Sequence, residues 1–99
     1  MDDAEWQDLK WLLPVGTTVR CKVTTLAPFG FFVEIEKHPA INAVVLAPDF
    51  ERPGQPKTDV ADFPPVGTYL DADVFYHVDQ THQVRLHVGP HVEIRPRGN

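Results

Sequence analysis

Side chains alternate apolar and polar with a period of two through most of this chain. In "TVRCKVTTL", Val19, Cys21 and Val23 alternate with Arg20, Lys22 and Thr24. Successive side chains of a β-strand point to opposite faces, so the first set faces a core and the second faces water. "GFFVEIE" repeats the pattern, with Phe31, Val33 and Ile35 against Phe32, Glu34 and Glu36. "NAVVLA" is a short continuous apolar run and predicts a third strand. "TYLDADVFYHVD" and "QVRLHV" predict a fourth and a fifth, the latter with Val84, Leu86 and Val88 inward and Arg85 and His87 outward. No helical rhythm lies between these runs, which excludes a βαβ architecture. A long connection, "PDFERPGQPKTDVADFPPVG", follows the third strand. The chain has 99 residues, enough for one domain. A small closed or nearly closed antiparallel barrel of five strands is the expected fold.

Only the N-terminus reads differently. Residues 2–13, "DDAEWQDLKWLL", predict a short helix. Asp2 is placed to cap it, with Glu5 as capping-box partner, and Pro14 stops it. Trp6, Leu9 and Leu13 recur at helical spacing, so this helix is expected to lie on the barrel as a lid. The expected organisation is a packed helix over 1–13, a barrel over 14–90 and a C-terminal tail over 91–99. A short edge segment is expected at Val92 and Ile94.

Phe31 and Phe32 are adjacent, so on a strand both cannot enter one core. Phe32 shares its side with two glutamates and is the outward ring. Phe29, Gly30, Phe31, Phe32 and Val33 resemble the Phe-Gly-small-Phe-Val signature of the S1 RNA-binding domain, an OB-fold module. Val15-Gly16 before the first strand, Val66-Gly67 before the fourth, and Val78, Asp79 and Leu86 further on are similar to the same family. The resemblance covers about residues 14–88. It implies a five-stranded antiparallel OB-fold barrel and a platform of Phe29 and Phe32 for stacking single-stranded RNA. On an OB-fold face such stacking is worth about 1–3 kcal/mol per base.

Several positions depart from the family pattern. Leu46 stands where the family carries a His, and Gln83 where it carries an Arg. Asp71 and Asp73 stand where it often exposes Lys, and Cys21 where it often has Gly. The fourth strand is one residue longer than usual between Val74 and Asp79, which implies a bulge. With Val78 set opposite Val84, His77 faces Arg85 and Phe75 faces His87. The candidate RNA-binding residues are therefore Phe29, Phe32, Arg20, Lys22, Arg85 and His77. Fourteen acidic residues against nine basic give a net charge of −5, so few phosphates are neutralised and binding is expected to be weak. A protein-binding surface on the same face, with nucleic-acid binding lost, is the alternative, because Leu46 makes the patch more apolar. Cover of Phe32 by Trp6 or Trp11 is the third possibility.

Other chemistry finds little support. The five histidines are not spaced as ligands and no second cysteine completes a zinc site. Cys21 points into the expected core, where a thiol is inert. Asp71 and Asp73 share an exposed face without a pocket, and no Gly-rich phosphate loop is present. No enzyme activity, metal or cofactor is expected. The acidic N-terminus is unlike a signal peptide, no apolar run is long enough to span a membrane, and a single cysteine allows no internal disulfide. A cytoplasmic monomer is expected.

Overall fold

A computed structural model describes residues 2–50 and 63–89. Most of the connection after the third strand and the expected edge segment at Val92 and Ile94 lie outside them. The elements are helix α1 (Asp3–Leu12), β1 (Thr18–Ala27), β2 (Gly30–Ile35), β3 (His38–Leu46), a 3-10 turn (Ala47–Asp49), β4 (Tyr69–Val78) and β5 (Gln83–His87). The strands close into a barrel in the order β1-β2-β3-β5-β4. Four of the pairings are antiparallel, as the alternating runs imply. The closing contact of β3 with β5 is parallel. The expected five-stranded barrel is thus present, mostly antiparallel with this one parallel pair. The chain returns through the β4–β5 hairpin, so β5 can meet β3 only with the same sense.

The long strand β1 makes closure possible. Lys22 pairs with Glu34 of β2 on one side and Tyr69 of β4 on the other. A bulge between Val23 and Thr25 bends the strand so that it serves both neighbours. The inward sets read from the alternation are buried: Val19, Cys21 and Val23; Phe31, Val33 and Ile35; Val84 and Leu86. Phe31, Phe50 and Phe63 meet edge to face in the middle of this core.

Helix α1 closes one end of the barrel. Asp2 Oδ1 accepts from the Glu5 amide at 2.8 Å and Glu5 Oε1 accepts from the Asp2 amide at 3.0 Å, a complete capping box. Trp6, Leu9 and Leu13 enter the core. Trp6 is then fixed from three directions by the β4–β5 hairpin. Its Nε1 donates to Asp79 Oδ1 at 2.7 Å. His82 stacks on its ring at 5.1 Å, and the His77 ring meets its edge at 6.0 Å. Lys10 Nζ donates to the same Asp79 oxygen at 2.8 Å. Two donors to one carboxylate, Lys10 first and Trp6 second, hold Asp79 below the usual carboxylate range.

The third strand begins earlier than "NAVVLA" suggests. Residues 36–37 make a tight turn, and His38 already pairs with Ile35. Pro39 marks a loop in sequence, yet β2 and β3 are out of register here, with a shift between Val33 and Ile35. A proline is tolerated at such an irregularity because no ladder donor is required of it.

Candidate functional site

Gly30 positions the aromatic pair. A Cβ there would lie 2.2 Å from the Val45 carbonyl oxygen and 2.8 Å from the Leu46 Cα, so only glycine lets β2 start this close to β3. The Phe29 carbonyl accepts from the Ala47 amide at 2.8 Å, which ties the turn before β2 to the end of β3. The Phe29 and Phe32 rings stand edge to face at 5.9 Å on the outer wall. Phe29 is 52% exposed and Phe32 half-buried. Neither tryptophan stacks on Phe32: Trp6 is engaged by His77 and His82, and Trp11 is 84% exposed.

From Phe32 one row crosses the sheet. Its lateral partners are Thr25 on β1 and Val44 on β3; Val44 pairs with Arg85 on β5, and Arg85 with Tyr76 on β4. At a strand spacing of about 4.8 Å, Phe32 and Tyr76 stand about 14 Å apart along this row. The Arg85 guanidinium lies over the Phe75 ring at 5.5 Å and the Tyr76 ring at 5.8 Å. Its Nη2 is 3.8 Å from Asp49 Oδ2, and its Nε is buried with no hydrogen-bond partner among the described residues. Val44, between the two ends of the row, is only 2% exposed although its neighbours Ala43 and Val45 take the inward positions.

Two placements differ from the register read in sequence. A bulge between Val74 and Tyr76 shifts β4, so Tyr76 rather than His77 lies opposite Arg85, and His77 lies opposite Val84. Phe75 consequently does not face His87, which pairs with Asp73. His77 turns to α1 instead, with Nε2 at 2.7 Å from the Leu13 carbonyl oxygen. A carbonyl only accepts, so Nε2 carries the proton in this contact. The extra residue before Asp79 signalled the bulge; its exact position was not readable. Tyr76, missed in sequence, takes the place on the row that His77 was expected to fill.

Arg20 and Lys22 are also separated from the phenylalanines. Their cations lie 5.7 Å and 5.9 Å from the Tyr69 ring on β4. Arg20 Nη1 is 3.3 Å from Asp71 Oδ1. Thr18 donates to Asp73 Oδ1 at 2.7 Å, so both acids of β4 are engaged by β1. The six candidate residues thus fall into three places: Phe29, Phe32 and Arg85 along the row, Arg20 and Lys22 around Tyr69, and His77 beneath α1.

No protein-family model matches the sequence, and no curated protein matches it significantly. Solved structures do match. A chain of the a/eIF2alpha–aDim2p–rRNA complex from Pyrococcus horikoshii OT3 superposes with a TM-score of 0.66 at 17% identity, over 76% of this chain and 44% of that one. GSP13 from Bacillus subtilis superposes at 0.64 with 20% identity, over 86% and 67%. RNase R from Mycoplasma genitalium superposes at 0.61 with 12% identity, over 86% and 15%. These likenesses show the fold, a five-stranded OB-type barrel. This barrel spans less than half the length of the Pyrococcus chain that it matches.

Within this barrel the departures from the S1 pattern that the sequence resembles acquire geometry. Leu46, at the family His position, pairs with Gly30 beside the aromatic pair. Asp79, at the family Asp position, is occupied by Trp6 and Lys10. Burial, with help from Asp71 and against Arg20, pushes the Cys21 thiol up to about 12. Cys21 is fully buried and its Sγ lies 3.6 Å from the Leu70 carbonyl oxygen. Among the described residues no three His, Cys, Asp or Glu side chains gather as a metal set.

Proposed function

We propose that this barrel is a binding module that takes single-stranded RNA, weakly and without strict sequence preference, on the row from Phe29 and Phe32 to Arg85 and Tyr76. The observation that carries the proposal is the pair of outer rings, Phe29 half exposed, in one row with a guanidinium framed by two further rings. Every base has a π-face, so such rings bind bases without regard to sequence. Two structural neighbours, one from a complex with rRNA and one a ribonuclease, support RNA as the ligand class. Weak binding follows from charge. Arg85, the cation of the row, has the Asp49 carboxylate within 4 Å. One phosphate contacted on a single strand gives a slope of log K against log salt of about −0.7.

A second reading rests on Leu46 and on the acids beside the arginines. An apolar rim with neutralised cations suits a protein surface. Titration of a fluorescent single-stranded RNA at low and then higher salt separates the two. Saturable binding that weakens with salt and is lost in Phe32→Ala supports RNA. Absence of binding at low salt overturns it, and binding of a specific protein that Phe32→Ala abolishes supports the second reading.

A further inference from the structure

The cluster around Tyr69 has no role in the row just described. Tyr69 is 52% exposed, and two cations flank its ring at under 6 Å. Among the described residues Lys22 has no carboxylate within ion-pair distance, whereas Arg20 is held by Asp71. The cluster is rigidly founded. Lys22 and Tyr69 are direct partners across β1 and β4, and the turn before Tyr69 is bonded to β1 by Val23 N–H to Thr68 O at 2.9 Å and Gly67 N–H to Val23 O at 2.8 Å. An exposed ring beside an ammonium with no ion-pair partner among the described residues offers a base a face and its phosphate a counter-charge at one place.

The position relative to Phe32 is fixed by register. Glu34 follows Phe32 by two residues on β2, Lys22 lies opposite Glu34, and Tyr69 lies opposite Lys22. Two residues along a strand and two strand spacings across give a separation of about 12 Å between Phe32 and Tyr69. That distance is within the footprint of one OB fold, which covers about 4–16 nucleotides. Glu34 between them repels phosphate and Lys22 opposite it compensates.

We infer that Tyr69 with Lys22 and Arg20 forms a second stacking site for single-stranded RNA, reached by a strand that has left the Phe29–Phe32 platform and crossed β1. This inference rests on the RNA reading of the first platform. It makes affinity depend on oligonucleotide length: a short strand fills the first platform and a longer one reaches both.

The test is anisotropy of labelled single-stranded RNA of about 4 and about 12 nucleotides, a range set by OB-fold footprints, with wild type, Phe32→Ala, Tyr69→Leu and Lys22→Gln. Tyr69→Leu keeps apolar bulk at an exposed position, so the fold is retained, and a thermal melt checks this. The expected result is a loss of at least about fivefold for the long strand in Tyr69→Leu, and none for the short strand. Lys22→Gln is expected to make the salt slope for the long strand shallower by about 0.7. Phe32→Ala weakens both lengths. If Phe32→Ala weakens the long strand and Tyr69→Leu does not, the second site is overturned and the first stands. If Tyr69→Leu weakens the long strand and Phe32→Ala does not, the first platform falls and the Tyr69 site stands alone. If neither strand binds wild type at low salt, both are overturned.

Discussion

Gly30→Ala is expected to destabilise the barrel at the point that presents the aromatic pair. The new Cβ would stand 2.2 Å from the Val45 carbonyl oxygen. Ordinary carbon–oxygen contacts between strands are about 3.3–3.6 Å, so β2 and β3 must part by about 1 Å at this pair. The obstructing atoms are backbone, and no flexible side chain can yield. Overfilled interiors cost about 1–3 kcal/mol. For a domain of this size that corresponds to a fall in Tm of about 4–24 °C. The Ala47–Phe29 hydrogen bond and the Gly30–Leu46 pairing lie at the displaced pair, so the Phe29 ring should lose its fixed relation to Phe32. Thermal unfolding followed by far-ultraviolet circular dichroism reads the stability. A melting temperature within about 2 °C of wild type would show that the strands separate at little cost and that glycine is not required there.

Three further outcomes follow from the structure. The Cys21 thiol titrates near 9 when exposed and at about 12 in the fold, so stability is full below pH 9 and falls above it by about 1.4 kcal/mol per pH unit; denaturant melts from pH 8 to 11 should show Cys21→Ala lacking this part of the alkaline slope, and equal slopes would refute it. Asp79 is depressed by Lys10 and Trp6, so its contribution is present above the ordinary carboxylate range and lost as pH falls through its lowered value in the fold; melts in acid should therefore show less pH dependence for Asp79→Asn than for wild type. Tyr76→Ala should weaken single-stranded RNA at least about fivefold in an anisotropy titration, because it removes the far ring of the row, while His77→Ala should leave a smaller mark on affinity than on stability.

The sequence carried the strands more faithfully than their joins. Val19, Cys21 and Val23, Phe31, Val33 and Ile35, and Val84 and Leu86 are buried as their alternation implies, because burial on one face is what a period of two encodes. The helix was equally legible, since Asp2 and Glu5 are local signals of a capped end. The exact place of the β4 bulge and the sense of the closing pair were not. A single extra residue in β4 exchanges Tyr76 for His77 on the outer row, and nothing local to "VFYHVD" says which residue is extruded. The parallel β3–β5 contact is a property of the whole path of the chain. The outward direction of Arg20 and Lys22 could be read from their strand; their neighbour Tyr69 could not, because it depends on which strand lies across from β1.

Closure also limits how any partner can be held. Each of the five strands has a hydrogen-bonded neighbour on both sides over part of its length, so no described strand is an edge from end to end. A peptide therefore finds no whole strand to extend with its own backbone, a mode that needs an open border of amides and carbonyls. The same closure guards against templated fibre growth. Recognition on the outer wall then falls to the tips of side chains, and its selectivity is open to change one residue at a time.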